Sequence, residues 1–562
     1  MEETMEETAY YDLGDHTRTV TTDSADAQTW FDRGLNWLYG FNHGEAIACF
    51  NRAIEADADC AMAHWGLAIA LGPNYNLPWH LMDRRNRARA LGGAHRAAET
   101  ALALVDRVTP IEAALIGALP ARYPQAEPLE DVADQMAWNE AFTNAMREVH
   151  GEHPDDLEVT AVFVDAIMNE TPWQMWDLAN GRVAEGAGTV EATEVLERTF
   201  DELPASWDHP GVLHLYVHLM EMSPHPERAL RQGDRLRRIM PDGGHLIHMP
   251  THIDVLCGNY HDVVFWNREA TMADGRWLDR EGYENVYTLY RNHNHHFLIY
   301  GAMFLGQYSV AMAAAQELID QIPEDFLRIE SPPFADAAEA FVAMKQHVLI
   351  RFGKWQEIID QDLPEDRELY SATTAITLYA KTVANAALGN VAEAETSREA
   401  FLAAKAEVPD SRRVHNNTVI DLLEVAAAMA DGEVAYRKGA HEEAFAHLRR
   451  AVELEDGLLY DEPWGWMQPT RHALGALLLE QEHYEEAEAV YRADLGLDDS
   501  VGRSRHHPNN LWSLFGLLQC LEQRGDEAEA ALIRNQFELA QARSEVPVRA
   551  SCFCHQAAMA AG

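Results

Sequence analysis

The sequence predicts an all-α superhelix built from stacked two-helix hairpins, and three observations predict it. A short motif that opens an amphipathic helix recurs along the chain, strand-type alternation is sustained nowhere, and 562 residues exceed what one compact core usually holds. Apolar residues make up 47% of the chain, enough for extensive burial. Each hairpin has one apolar face that only a stacked neighbour can cover, so the pattern demands an array.

The segment from Ala27 to Cys60 sets the template. Gly34 takes a small site on the first helix, Ala46, Phe50 and Ala53 take the small, large and small sites on the second, and Ala58 stands where the template often has proline. The second-helix opening recurs at Pro226, Tyr260, Tyr308, Trp355, Val391, His441, Tyr484 and Glu527, at intervals of 34 to 50 residues. The stretch from Pro110 to Leu203 is less regular, with one hairpin from Ala137 to Met168 (Pro154 in its turn) and a loop from Thr171 to Trp176. The expected organisation is an acidic tail over 1–25, hairpins with an irregular insert over 26–204, histidine-rich hairpins over 205–322, further hairpins over 323–543 and a cysteine-containing tail over 544–562. Both tails are expected to be mobile.

Net charge is −47, from 44 basic and 91 acidic residues, and only 5 of the basic residues are lysine. Such a surface repels nucleic acid and anionic membranes, so neither is expected as a partner. Adaptation to a salty cytoplasm and a base composition rich in G and C account for it equally. Six irregularly spaced cysteines make no disulfide framework, and Cys49, Cys60, Cys257 and Cys520 read as small core residues. Without a basic and apolar leader or a long apolar span, the expectation is a cytoplasmic protein. Walker, dinucleotide, nucleophile-elbow and H-E-x-x-H motifs are all missing, which removes most support for ATP, NAD and serine-hydrolase chemistry.

Eleven of the 27 histidines lie between His209 and His296, where even spreading would put about four. Their register is more telling. With Pro226, Tyr260 and Tyr308 each set as position 17, position 5 is His214, His248 and His296, and position 9 is His218, His252 and Tyr300. Position 2 is Gly211, His245 and His293, and Glu221 is position 12 of the first repeat. Steps of three and four keep these residues on one stripe of each first helix, the stripe that faces the concave groove. Seven histidines and a glutamate converging from three helices suit a transition metal (Zn, Fe, Mn or Cu), in one site or two, with Glu221 as ligand or general base. Pro250 must sit in a first turn or kink its helix, which would swing His245 and His248 out of the column. Groove histidines that only bind peptide are the plain alternative. His209, His225, His261 and His295 fall off the stripe and read as loop or cap residues or as groups that support the ligands from behind.

Outside the column, Asn74 to Trp79 is placed at the groove mouth or in an interrepeat loop. Pro172, Trp173 and Trp176 roof a pocket or pack between hairpins. Tyr300, Arg471 and Glu462 are assigned to substrate binding, Arg471 as a carboxylate clamp or as the ion-pair partner of Glu462. Cys552, Cys554 and His555 form a soft-ligand set that would reach the groove only if the tail folds back over it.

The stretches Trp30–His43, Cys60–Gly66, Gly244–His252, Tyr460–Trp464 and Ser513–Leu517 resemble a family of bacterial tetratricopeptide repeat (TPR) proteins, and the resemblance spans nearly the whole chain. More distantly, His214–Glu221 and His293–Phe297 resemble the histidine-rich helices of tetratricopeptide repeat 38-type proteins. The resemblance implies a TPR-like solenoid and names no reaction. Two functions follow as expectations: a metalloprotein suited to hydrolysis or oxidation of a small molecule in the groove, or a non-catalytic scaffold binding a protein or peptide there.

Overall fold

The computed structural model describes residues 10–555. It is an array of antiparallel α-hairpins; among the described residues the only strands are two two-residue pairs, Trp176–Asp177 with Arg182–Val183 and Arg413–Val414 with Asn417–Thr418. The first hairpin, Ala25–Tyr39 and His43–Ala56, is built as its sequence dictates: Gly34 and Gly66 both lie against the buried Phe50 ring, where a Cβ would collide. Among the described residues no helix is long and apolar enough to cross a membrane.

The recurrent openings are helix starts. Second helices begin at Tyr260, Tyr308, Trp355, Val391, His441, Tyr484 and Glu527, and at Pro226 a 3-10 turn precedes the helix Leu230–Leu236. The residue two positions before each of the seven has a left-handed backbone, which reverses the chain. Glycine supplies it at Gly258, Gly306, Gly353, Gly389, Gly439 and Gly525; Glu482 does so with φ 63°, and Phe41 with φ 53° before His43. A side chain in this region costs about 1 kcal/mol or more. Glu482 is exposed, so Glu482→Gly is expected to stabilise the protein by about 0.5 kcal/mol, read from the denaturation midpoint.

Residues 10–24, assigned above to a mobile tail, instead run extended and packed, with Tyr11, Leu13 and Val20 buried. Glu158 is their anchor. Arg18 pairs with it, and His16 and His209 approach the same carboxylate at 3.1 and 3.2 Å. Burial opposes its charge, yet these partners hold the Glu158 carboxyl well below its usual range. Residues 1–9 of that expected tail lie outside the described residues.

Two large apolar clusters fill the interior, one spanning Tyr11 to Tyr287 and the other Val255 to Cys554. Both draw on the helix broken at Pro250, through Ile253 on one side and Val255 and Leu256 on the other. The array curls on itself. Trp512 Nε1 donates to Met303 O at 2.9 Å, and Tyr460 OH donates to Glu221 O at 3.1 Å. The expected open groove is thereby roofed over the histidines by residues 460–467.

Candidate metal centre

The first column helix, Pro210–Glu221, starts with Pro210 at its first position and His209 as its cap, Nδ1 accepting from Val212 N. The second is split by Pro250 into Gly244–His248 and Pro250–Leu256. The third is Tyr287–Phe304. The break at Pro250 does not eject His245 and His248: it aims them at different neighbours, His245 toward His214 and His218, His248 toward His252 and His293.

Two three-histidine groups result, with a third beside them. His214, His218 and His245 form the first, His248, His252 and His293 the second, and His293, His296 and His415 the third. His214, His218, His245, His248, His252 and His296 are buried, whereas His293 and His415 keep part of their surface exposed.

The tautomers follow from the partners of each Nδ1. His214 Nδ1 donates to Tyr39 O at 2.7 Å. Glu221 spans two groups, accepting from His218 Nδ1 on Oε1 at 2.9 Å and from His252 Nδ1 on Oε2 at 2.6 Å. His248 Nδ1 donates to Asn267 Oδ1 at 2.6 Å, an orientation fixed because Asn267 Nδ2 donates to Val263 O and Thr251 Oγ1. Burial drives all of these imidazoles toward the neutral form, His218, His248 and His252 to about 3. A neutral ring with its proton on Nδ1 carries a lone pair on Nε2.

The His248 and His252 lone pairs meet, and the His293 Nε2 atom joins them. His248 Nε2 lies 2.8 Å from His252 Nε2, which lies 3.1 Å from His293 Nε2. In the first group, the Nε2 atoms of His214 and His218 and both nitrogens of His245 are buried with no hydrogen-bond partner. Imidazoles bound to one ion at about 2.0–2.1 Å have nitrogens about 2.9–3.4 Å apart at bond angles of 90–110°. The two nitrogen pairs of the second group lie within or just under that spacing, and the Nδ1 contacts of His248 and His252 are the kind that orient metal-binding histidines.

Glu462 is also here, not at Arg471. Its Oε2 lies 2.5 Å from His252 Nδ1 without hydrogen-bond geometry, so neither oxygen has a hydrogen-bond partner. Burial, reinforced by the Glu221 charge, pushes its carboxyl well above the usual range; burial raises Glu221 too. Arg471 instead grips Asp456 with both terminal nitrogens, at 2.7 and 2.8 Å, because Asp456 ends the preceding helix beside it. The intramolecular ion pair expected of Arg471 is thus made, with Asp456 as its partner and not Glu462. Tyr300 also leaves the column, its ring packing on Phe304 inside the apolar cluster.

Aromatic rings wall the first group. Phe41 stacks on His218 and His245, with centroids 5.7 and 5.6 Å apart, and Tyr75 and Trp173 close on His218 at 5.0 and 5.8 Å. Trp173 therefore roofs the column, while Trp176 ties to Leu219 O. A small apolar cleft between Leu38, Tyr39, Ile69, Val162 and Leu215 reaches His214. The off-stripe histidines lie elsewhere: His225 faces Glu227 in solvent, and His295 bonds Gln321.

The C-terminal segment folds back, but away from the column. Ser551 bonds His472 O and Arg351, Arg437 holds Cys554 O, and Cys552 and Cys554 are paired with each other beside Glu433. His415 was the main omission of the sequence reading. It stands alone between Val414 and Asn416, and only the hairpin turn brings it to the column.

No protein-family model matches the chain, and no curated protein matches it. Among solved structures, similarity extends to the Naa15/Naa10 complex bound to HypK-THB, at 13% identity over 92% of this chain and 70% of that one, with a TM-score of 0.21. It extends also to the APC/C hetero-tetramer Cut9–Hcn1, at 11% over 95% and 96% with TM-score 0.28, and to yeast Tom70, at 10% over 91% and 99% with TM-score 0.29. Similarity this low carries no argument about function, and the TPR-like solenoid rests on the chain's own hairpins.

Proposed function

We propose that this protein is a TPR-like scaffold enclosing a transition-metal centre. Its ligands are drawn from His214, His218, His245, His248, His252 and His293, with Glu221 orienting His218 and His252. The observation that carries this reading is the approach of the His248 and His252 Nε2 atoms to 2.8 Å while an acceptor oxygen faces each Nδ1, which leaves both Nε2 atoms as lone pairs. Two lone pairs at that distance repel, and a shared cation removes the repulsion. The ligand chemistry suits Zn, Fe, Mn or Cu, and a water or open position on such an ion would supply hydrolysis or oxidation. Glu462, raised by burial and without a hydrogen-bond partner, is the group placed to take up a proton.

Elemental analysis of untagged protein, as purified and after reconstitution, tests the reading. At least one equivalent of transition metal is expected, and loading in excess should raise the thermal midpoint, by about 4 kcal/mol of stability at a thousandfold excess over Kd. Less than ~0.1 equivalent after reconstitution overturns it.

A second reading, a scaffold for a protein partner, is supported by exposed apolar residues on the last helix, Glu527–Gln541, where Leu532 and Leu539 are 69% and 67% exposed. Leu532→Glu with Leu539→Glu should then abolish partner capture and leave metal content unchanged. Loss of metal instead, or unaltered capture, counts against it.

A further inference from the structure

The third histidine group has a source and geometry of its own. His415 sits at the tip of the small hairpin in which Val414 pairs with Asn417. Asp461 clamps this hairpin, its carboxylate accepting from Asn416 N at 2.9 Å and from Asn417 Nδ2 at 2.6 Å. The His415 backbone is left-handed, with φ 49°, a conformation unfavourable for a histidine that a glycine would adopt freely. The surrounding structure holds it there. The result is that His415 Nε2 lies 3.3 Å from His293 Nδ1 and 3.4 Å from His296 Nδ1.

Proton placement makes this a ligand set. His296 Nε2 faces Met467 Sδ at 2.7 Å, so its N–H points at the thioether and its Nδ1 carries a lone pair. His293 Nε2 faces the His252 Nε2 lone pair, so its proton sits on Nε2 and its Nδ1 is likewise a lone pair. One His415 N–H cannot satisfy two acceptors at these lengths. The separations match those of imidazoles on a shared ion, about 2.9–3.4 Å.

We propose that His293, His296 and His415 hold a second transition-metal ion, and that His293 bridges it to the His248/His252 ion, ligating with Nδ1 on one side and Nε2 on the other. This rests on the metal centre proposed above. With both ions bound, the proton that His293 carries on Nε2 in the metal-free protein is released to solvent, leaving an imidazolate whose two nitrogens each donate a lone pair. The negative charge of the bridge, with Glu221, offsets the charge of two divalent ions in a buried site. His293 and His415 are the partly exposed members of the set, so the second ion occupies the solvent side of the pair.

The test uses full-length protein stripped of metal and reloaded with Cu(II), with bound copper counted by elemental analysis after gel filtration and spins counted by electron paramagnetic resonance. His415→Gly and His415→Asn suit the left-handed turn while removing the imidazole, so both should fold like the parent by circular dichroism. The parent should bind one more copper than either variant. Its bridged pair should be magnetically coupled, so that it shows fewer spins than bound copper, and the variants should recover the full signal of the remaining ion. Equal copper in parent and variants overturns the second site, and equal spins and copper in the parent overturn the bridge. In both cases the first centre stands. No copper or other transition metal in the parent overturns both.

Discussion

Metal-free protein will lose stability steeply as the pH falls below about 6.5. Burial holds His218, His248 and His252 near 3 in the folded state, while in the unfolded chain they titrate at the ordinary 6.5. Between those values the unfolded chain binds protons that the folded protein refuses, so stability declines toward acid by about 1.4 kcal/mol per pH unit for each group. The three together give about 4 kcal/mol per unit at the steepest. His214, His245, His293 and His296, also lowered by burial, act in the same sense. Glu221, Glu462, Asp165, Asp254, Asp274, Glu455 and Asp461, raised by burial, act in the opposite sense, but the lowered histidines, joined by His43, His295, His347, His415 and His472, outnumber them. Urea midpoints at pH 7.5, 6.0 and 5.0 measure the slope, and His218→Gln with His248→Gln should flatten it. A midpoint unchanged between pH 7.5 and 5.0 would contradict the buried, neutral column.

Glu221→Gln should lower metal affinity by about 10- to 100-fold while leaving the fold intact. The carboxylate accepts from His218 Nδ1 and His252 Nδ1, one on each oxygen. An amide of the same shape accepts on one side only and donates on the other. The ring facing the amide nitrogen must then accept at Nδ1 and move its proton to Nε2, the atom that would ligate the ion. Both hydrogen bonds survive, so the thermal midpoint of metal-free protein should scarcely change while the competition-titration Kd rises. Unchanged affinity would mean that neither His218 nor His252 is a ligand.

Much of the fold was legible because hairpin stacking repeats a local rule. The second helices begin where the recurrent motif places them, from Tyr260 to Glu527, and Gly34 packs on Phe50 as a small site should. The column was legible because register on a helix is arithmetic: His214, His218, His245, His248, His252, His293 and His296 all reach it or its margin. Tyr300 obeyed the same arithmetic and still left, since the last turns of its helix enter the apolar cluster around Phe304. What the sequence could not supply was the curl of the array. It brings His415, Glu462 and Met467 from far downstream onto the column and covers much of what the register alone shows as an open groove, and no local spacing encodes it. The Arg471 pairing was missed for a local reason, because Asp456 competes more closely than Glu462.

Among the described residues five non-glycine residues have a left-handed backbone, and three of them, Phe41, Trp173 and His415, touch the column. At the Phe41 turn, six of the equivalent turns use glycine. Exchange to glycine would relax the main chain by about 1 kcal/mol at each position, but at Phe41 it would also empty a buried site in the apolar cluster and lose about 3–5 kcal/mol. At His415 it would ease the main chain and remove one imidazole from the histidine groups. These turns therefore exchange main-chain ease for side chains that wall the histidines or join them.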